Sequence, residues 1–540
     1  MLLVPLCSVV LAFRGLGHDF AKQVNHDLAP GQDVNHWLPS ADGDTLYYSV
    51  TEDGYAGGTW FRAPMDGSQN ALALTDPLPT DREFYAVQVS PDESWLVYTA
   101  DRDTDEQWEI YSVPTDGSKA VVKLNPPLTP TQDIYPGYFR LTPDGARVVF
   151  RVGLSGGSLY SAPIDGSAPA VLLTSAGYQL WQITSDSQRV VFGAGEIFSV
   201  PVDGSSAPVQ LSGTAAGENP DDFYVSPDGQ RVVYIGYTYP TVDGEPNDVV
   251  YWIFSVPADG SAEPVLLFNP VRFVSLFGFP EPKIKISADS RWVLQRSDSY
   301  PNPNKLYSAP IDGSSPAIRL SGPSTDGGSV GWDFRFAPDG RVVYTYEGGG
   351  APLGIYVVPP DGSMAAQRIT PLTQYPVPLK LEVGHGRAVF VGYALDPVTS
   401  ELRYEPYSVP LDGSTAPIKL SPTMVPGGDI VSGNTLNAPS FRISDDGEWV
   451  VYVADQDTDE VDELYSVPID GHLRARKLNR PLPGTYISEY LNAVLAGSKR
   501  VIYVAWQDEP DTSEVFTTEL GDAGAFLGGS SSVPAGRPIR

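Results

Sequence analysis

The residues best suited to chemistry stand in two copies of one acidic phrase. Asp101-Arg102-Asp103-Thr104-Asp105-Glu106 is followed by Glu109, and Asp455-Gln456-Asp457-Thr458-Asp459-Glu460 by Glu463. Carboxylates at alternate positions of a tight loop, with one more acid three residues on, form a donor set for a hard cation. Ca2+ takes roughly six to eight oxygens, and a short loop of this type supplies several of them. The metal-ligand candidates are therefore Asp101, Asp103, Asp105, Glu109, Asp455, Asp457, Asp459 and Glu463, with Ca2+ as the candidate cofactor. The glycine that turns an EF-hand loop is missing; Glu106 and Glu460 stand in its place. The competing reading is a solvated hairpin whose aspartates bond their own backbone.

Other candidates are weaker. Gly153-Leu154-Ser155-Gly156-Gly157 matches the G-x-S-x-G pattern of serine hydrolases, which needs a strand, a sharp turn and a helix. Here it lies between two strand patterns, where Gly and Ser make a hairpin. His18, His26, His36, His385 and His472 show no metal-ligand spacing, and the lone Cys7 excludes an internal disulfide framework. No catalytic residue is expected.

The elements that position these loops are repeats. Asp-Gly recurs at Asp66, Asp116, Asp165, Asp203, Asp259, Asp312, Asp361, Asp412 and Asp470, each after a phrase such as Leu464-Tyr465-Ser466-Val467-Pro468. A degenerate tenth copy starts at Glu514. The intervals are 50, 49, 38, 56, 53, 49, 51 and 58 residues, the mark of one supersecondary unit stacked many times. Upstream of each lies an apolar triplet such as Val148-Val149-Phe150 or Val450-Val451-Tyr452, preceded by a turn such as Ser226-Pro227-Asp228-Gly229. β-Branched and aromatic triplets between such turns read as strands. One repeat is thus four antiparallel strands, A to D, and the fold class is all-β. Units of this size arranged radially are β-propeller blades.

The unit Ser-Pro-Asp-Gly-x-x-Val-Val-Tyr … Leu-Tyr-Ser-Val-Pro-Ile-Asp-Gly resembles the repeat of TolB-like β-propellers over about residues 21–521. The resemblance implies the fold and a bacterial extracytoplasmic (periplasmic or secreted) location. It leaves function open, because such propellers serve as binding platforms and as gating domains of peptidases. About ten repeats are expected, in one large ring closed by an N-terminal strand, with two smaller propellers as the alternative. Residues 1–31 are read as an N-terminal segment supplying a closing strand, from the strand D signature at 21–28; residues 32–521 are the propeller and 522–540 a flexible tail. The apolar run 2–13 is too short to span a bilayer and reads either as a signal core or as a strand.

A formal charge of −31, from 66 acidic and 35 basic residues, argues against nucleic-acid partners and favours cationic ones. Length variation is confined to the B–C and D–A connections, which share one face; 236–249, with Asp243, Glu245 and Asp248, is the longest B–C segment. The first functional expectation is a non-enzymatic scaffold binding a protein or surface-polymer partner through that loop-rich acidic face. The alternatives are a metal-dependent propeller enzyme of lyase or lactonase type, and a structural module of a larger assembly. The enzyme would need carboxylates or His converging from inner strands, and the sequence shows no such set.

Overall fold

The computed structural model describes residues 7–8, 32–52, 56–65, 69–153, 157–175, 180–213, 219–238, 241–242, 245–246, 249–273, 284–297, 304–322, 327–348, 351–371, 377–395, 402–430, 441–459, 461–479, 494–496, 500–505 and 513–520. These residues form strands and turns, with no helix among them. Seven separate four-stranded antiparallel sheets follow one another along the chain, the first built from Ile134–Leu141, Arg147–Val152, Ser158–Pro163 and Val171–Thr174. They are the blades of a β-propeller.

The first two repeats and the last belong to one twelve-stranded sheet. In it Cys7–Ser8 lies parallel to Ser513–Glu519 and antiparallel to Gln32–Pro39, so the apolar run contributes a strand there. The segment 21–28, on which the expected closing strand rests, lies outside the described residues, as do the tail 522–540 and Leu154-Ser155-Gly156 of the G-x-S-x-G sequence. The segment 236–249 is less loop-like than its sequence suggests. Arg231–Thr238 and Val249–Pro257 run on as one long hairpin, capped by the short ladder Thr241–Val242 with Glu245–Pro246.

Both faces of a blade are covered by neighbours, which is why strand B is a continuous apolar run and does not alternate. Val148, Val149 and Phe150 are fully buried, as are Val342, Val343 and Tyr344. Val97 and Ile110 of one blade pack with Val148, Phe150 and Ala162 of the next, so the cores lie between blades. Across strands B and C the aromatic rings stack, Phe150 on Tyr160 at 6.0 Å and Tyr452 on Tyr465 at 5.5 Å. Some A strands of successive blades touch, Leu78–Val89 with Ile134–Leu141 and Val377–Gly384 with both Ser329–Phe336 and Phe441–Ile443; A is the innermost strand of a propeller blade. Gln88 clamps the next A strand by donating to Phe139 O at 3.0 Å and accepting from Leu141 N, and Gln182 repeats this on Phe223 O and Val225 N.

The two turn types behave as their residues require. In C–D turns Asp116 Oδ1 accepts the Ser118 amide at 2.8 Å while Gly117 takes φ +84°. In A–B turns Asp144 Oδ1 accepts both the Thr142 hydroxyl and the Ala146 amide, with Gly145 at φ +71°. Two blades put serine in that left-handed position, Ser187 at φ 61° and Ser290 at φ 58°. Each serine Oγ accepts a backbone amide from the preceding blade, from Asp144 and Asp228 respectively, both at 2.9 Å. The staple offsets the backbone strain. Ser187→Ala keeps the strain and loses the bond, so it is expected to cost about 1–2 kcal/mol, whereas Ser187→Gly loses the bond but relaxes the backbone and stays within about 0.5 kcal/mol. Chemical denaturation of the two variants checks this; equal losses would show that the staple carries nothing.

Candidate functional site

The two acidic hairpins occupy matching places between strands B and C. Asp101 is buried at the end of its strand, and its carboxylate accepts the amides of Glu83 at 2.6 Å and Glu106 at 3.2 Å. Asp103 and Glu109 share one ammonium: Lys123 Nζ lies 2.5 Å from Asp103 and 2.8 Å from Glu109. Asp105 pairs with Arg82 at 3.0 Å. The second hairpin follows the same plan. Asp455 accepts the Asp429 amide, Lys477 Nζ joins Asp457 at 3.0 Å to Glu463 at 2.5 Å, and Asp459 lies beside Gly427.

Each buried glutamate also accepts a tyrosine hydroxyl two residues on, Tyr111 at 2.8 Å and Tyr465 at 3.0 Å. A third copy without the aspartates joins Glu405, Tyr407 and Lys419. The constant spacing, Glu to Tyr by two and Glu to Lys by fourteen, is visible in the sequence once strands C and D are aligned. Burial alone would lower the Lys123 ammonium, but hydrogen bonds and charge from Asp103 and Glu109 hold it above the ordinary lysine value; Lys477 behaves likewise. With the lysines in place, no group of three or more His, Cys, Asp or Glu side chains among the described residues is placed to hold a metal ion.

A different set of side chains gathers on the inner strands. Six A strands carry a β-bulge near their first half, between Val34 and Trp37, Phe84 and Val87, Ile134 and Phe139, Pro220 and Asp222, Val330 and Phe334, and Leu379 and Leu381. A bulge adds a residue to one strand and re-aims its side chains. Because strand A enters from the B–C and D–A side, all six bulges sit toward the loop-rich face. They carry His36, Tyr85, Tyr135, Tyr138, Trp332, Asp333 and Lys380. Trp332 is 56% exposed, with the Arg296 guanidinium stacked 4.0 Å from its ring centre.

Ionisable groups converge on three adjacent inner strands. Arg335 follows Trp332 and Asp333 on Ser329–Phe336; Lys380 and Glu382 stand on Val377–Gly384; Arg442 stands on Phe441–Ile443. Glu382 accepts the backbone amide of Ile443 and feels the charges of Arg335 and Arg442. Burial nonetheless pushes its carboxyl above the ordinary glutamate value. Burial also pushes the Lys380 ammonium down, against the opposing pull of Asp333. Lys380 holds a left-handed backbone, φ 43°, imposed by the bulge. Arg335 Nε is buried without a hydrogen-bond partner among the described residues.

None of these residues was among the sequence candidates. Their signal was present as alternation in Phe334-Arg335-Phe336, Leu381-Glu382-Val383 and Phe441-Arg442-Ile443, each placing an ionisable residue between two apolar ones.

No family model matches the chain, and no curated protein matches it. Among solved structures it is similar to Porphyromonas gingivalis dipeptidyl peptidase 4, with 13% identity, 78% of this chain and 62% of that one covered, and a TM-score of 0.43. It is similar to oligogalacturonate lyase from Vibrio parahaemolyticus, with 15% identity, 59% and 87% covered, and a TM-score of 0.32. A putative TolB from Agrobacterium tumefaciens aligns with 22% identity over 44% of this chain and 81% of its own, with a TM-score of 0.24. The chain spans less than two thirds of the peptidase's length. At these identities the likenesses show the fold alone.

One expectation is corrected. A chain without enzymatic activity was expected because no catalytic set was visible, yet the similar structures are mainly of enzymes: peptidases, a lyase and a puromycin hydrolase. The propeller fold gives no ground for excluding catalysis, and the inner strands do bring ionisable groups together. Among the described residues no helix is long and apolar enough to cross a membrane.

Proposed function

We propose that the chain is an enzyme of propeller type that performs acid–base chemistry on an extended polymer held at the loop-rich mouth of the inner strands. The observation that carries the reading is the convergence of Arg335 and Arg442 on the buried Glu382, with Lys380 on the same strand as Glu382 and Asp333 acting on both; Trp332 stands exposed on the strand that carries Arg335. A carboxyl raised by burial and an ammonium lowered by burial are both displaced toward neutrality, where proton donors and acceptors work best. Arg335 and Arg442 supply positive charge for an anionic substituent or a developing oxyanion, and the unpartnered Arg335 Nε is a donor ready for it. Elimination or hydrolysis, the lyase or lactonase type of chemistry, is the reaction class that such a set serves. An extracytoplasmic setting, which the TolB-like repeat implies, suits a polymeric substrate.

The test is turnover by the purified protein on a panel of acidic polysaccharides, neutral polysaccharides and peptides. Trp332→Ala removes an exposed platform, so it is expected to raise KM about tenfold while kcat and thermal stability hold. Absence of turnover across the panel, or a KM indifferent to Trp332, would reject the reading.

A further inference from the structure

A second surface lies on the blade that carries the first acidic hairpin and on the blade that follows it. Tyr85, on a bulge of strand Leu78–Val89, meets Trp108 edge to face, with ring centres 5.7 Å apart and planes at 78°. Tyr135 and Tyr138, on the bulge of the next blade, form a second corner at 4.9 Å and 67°. The corners are tied together, since Trp108 O accepts the Ile134 amide at 2.9 Å and Asp133 Oδ1 accepts the Trp108 amide at 3.1 Å. Tyr85, Tyr135 and Tyr138 are all more than two-fifths exposed. Clustered exposed aromatic rings on a bulged edge mark an interaction surface, not ordinary packing.

Charge selects the partner. Glu83 stands two residues before Tyr85, and Glu106 two residues before Trp108. Of the local cations, Arg82 is committed to Asp81 and Asp105 and Lys123 to Asp103 and Glu109, while Arg102 lies against the buried Tyr98 hydroxyl. The carboxylates of Glu83 and Glu106 have no ion pair among the described residues. Burial first, and then the charges of Asp101 and Glu106, push Glu83 up, so negative charge is in local excess. One ring shows what such a corner accepts: the Arg151 guanidinium lies 5.7 Å over the centre of Tyr138. Perpendicular aromatic faces backed by carboxylates are the chemistry that holds an ammonium or guanidinium group.

We infer that this surface docks a basic polypeptide segment, with lysine or arginine side chains seated in the Tyr85–Trp108 and Tyr135–Tyr138 corners and steered by Glu83 and Glu106. The docking residues stand on other blades than the proton-transfer group, and their test reads binding and not turnover, so the two readings fail independently.

The experiment is titration of the full chain with octalysine, followed by Trp fluorescence and calorimetry, with octaglutamate and a neutral oligosaccharide as alternative occupants. Octalysine is expected to bind, more tightly at low salt because exposed charges are screened beyond about 10 Å at 0.1 M. Tyr85→Leu, Tyr138→Leu and the pair Glu83→Gln with Glu106→Gln should each weaken binding about fivefold or more, at unchanged melting temperature. Glu263→Gln, an exposed acid on the opposite face, should leave it as it is. No binding of octalysine, equal binding by the variants, or preferential binding of octaglutamate or the neutral oligosaccharide would each overturn the inference.

Discussion

Replacing Lys123 and Lys477 with methionine is expected to destabilise the protein by about 1–2 kcal/mol at each site, and by the sum for both. Glu109 and Glu463 are almost wholly buried, and each keeps a tyrosine hydroxyl but loses the cation beside it. Removing one partner of a fully buried pair costs about 3–5 kcal/mol, but these lysine side chains are about one third exposed, so water moderates the loss. The sign with pH is fixed by the lysines. Their folded-state values are raised, so their contribution is complete below the ordinary lysine range and is lost as pH rises through the higher folded value. Parent and variants should therefore differ fully at neutral pH and converge only in strong alkali.

The same variants decide the fate of a bound cation. We propose that Ca2+ and the lysine compete for Asp103 with Glu109, and for Asp457 with Glu463. In the parent an ion must displace an ammonium from between two carboxylates 2.5 and 2.8 Å away. In the methionine variants those oxygens have no competitor. Added Ca2+ should raise the melting temperature of the double variant more than that of the parent, and Mg2+ should do less because it demands a tighter octahedral shell. A double variant whose melting is blind to Ca2+, with no heat of binding, would reduce both hairpins to lysine-bridged turns.

What could be read from the chain divides along a physical line. Turns and central strands are written locally: Thr142-Pro143-Asp144-Gly145 and Val148-Val149-Phe150 form what their residue types dictate, and the propeller follows from their repetition. The bulges are not local. An extra residue in strand A is defined only against its partner, so Tyr85, Trp332 and Lys380 read as ordinary strand positions until the register with strand B is known. Convergence is less local still, because Arg335, Glu382 and Arg442 are 47 and 60 positions apart and meet only as neighbouring inner strands. The acidic hairpins were legible in a different way. Their carboxylates stand in one short phrase, but the lysines that bridge them stand fourteen residues downstream of each glutamate, on strand D, and only the pairing of strands C and D brings them together.

Lys380→Met and Glu382→Gln should lower kcat about 100-fold or more while making the protein more stable at neutral pH. The rate loss is that of a proton-transfer group in contact with substrate. The stability gain follows from linkage. Glu382 has a raised folded value, so its favourable contribution exists below the ordinary glutamate range and is lost as pH rises through that value. Lys380 has a lowered folded value, so its favourable contribution exists above the ordinary lysine range and is lost as pH falls through the folded value. Each group, when ionised, sits charged in a setting that resists charge. In Glu382→Gln the neutral side-chain carbonyl still accepts the Ile443 amide without that penalty. The variant should therefore gain stability above the ordinary glutamate range, and the gain should vanish in acid. The parent's pH–rate profile should be bell-shaped, with its acid limb above the ordinary glutamate range and its alkaline limb below the ordinary lysine range, and each variant should lose one limb. A structural role predicts the reverse pairing, lower stability with turnover intact. Either that pairing or an unchanged pH profile would remove Lys380 and Glu382 from the chemistry.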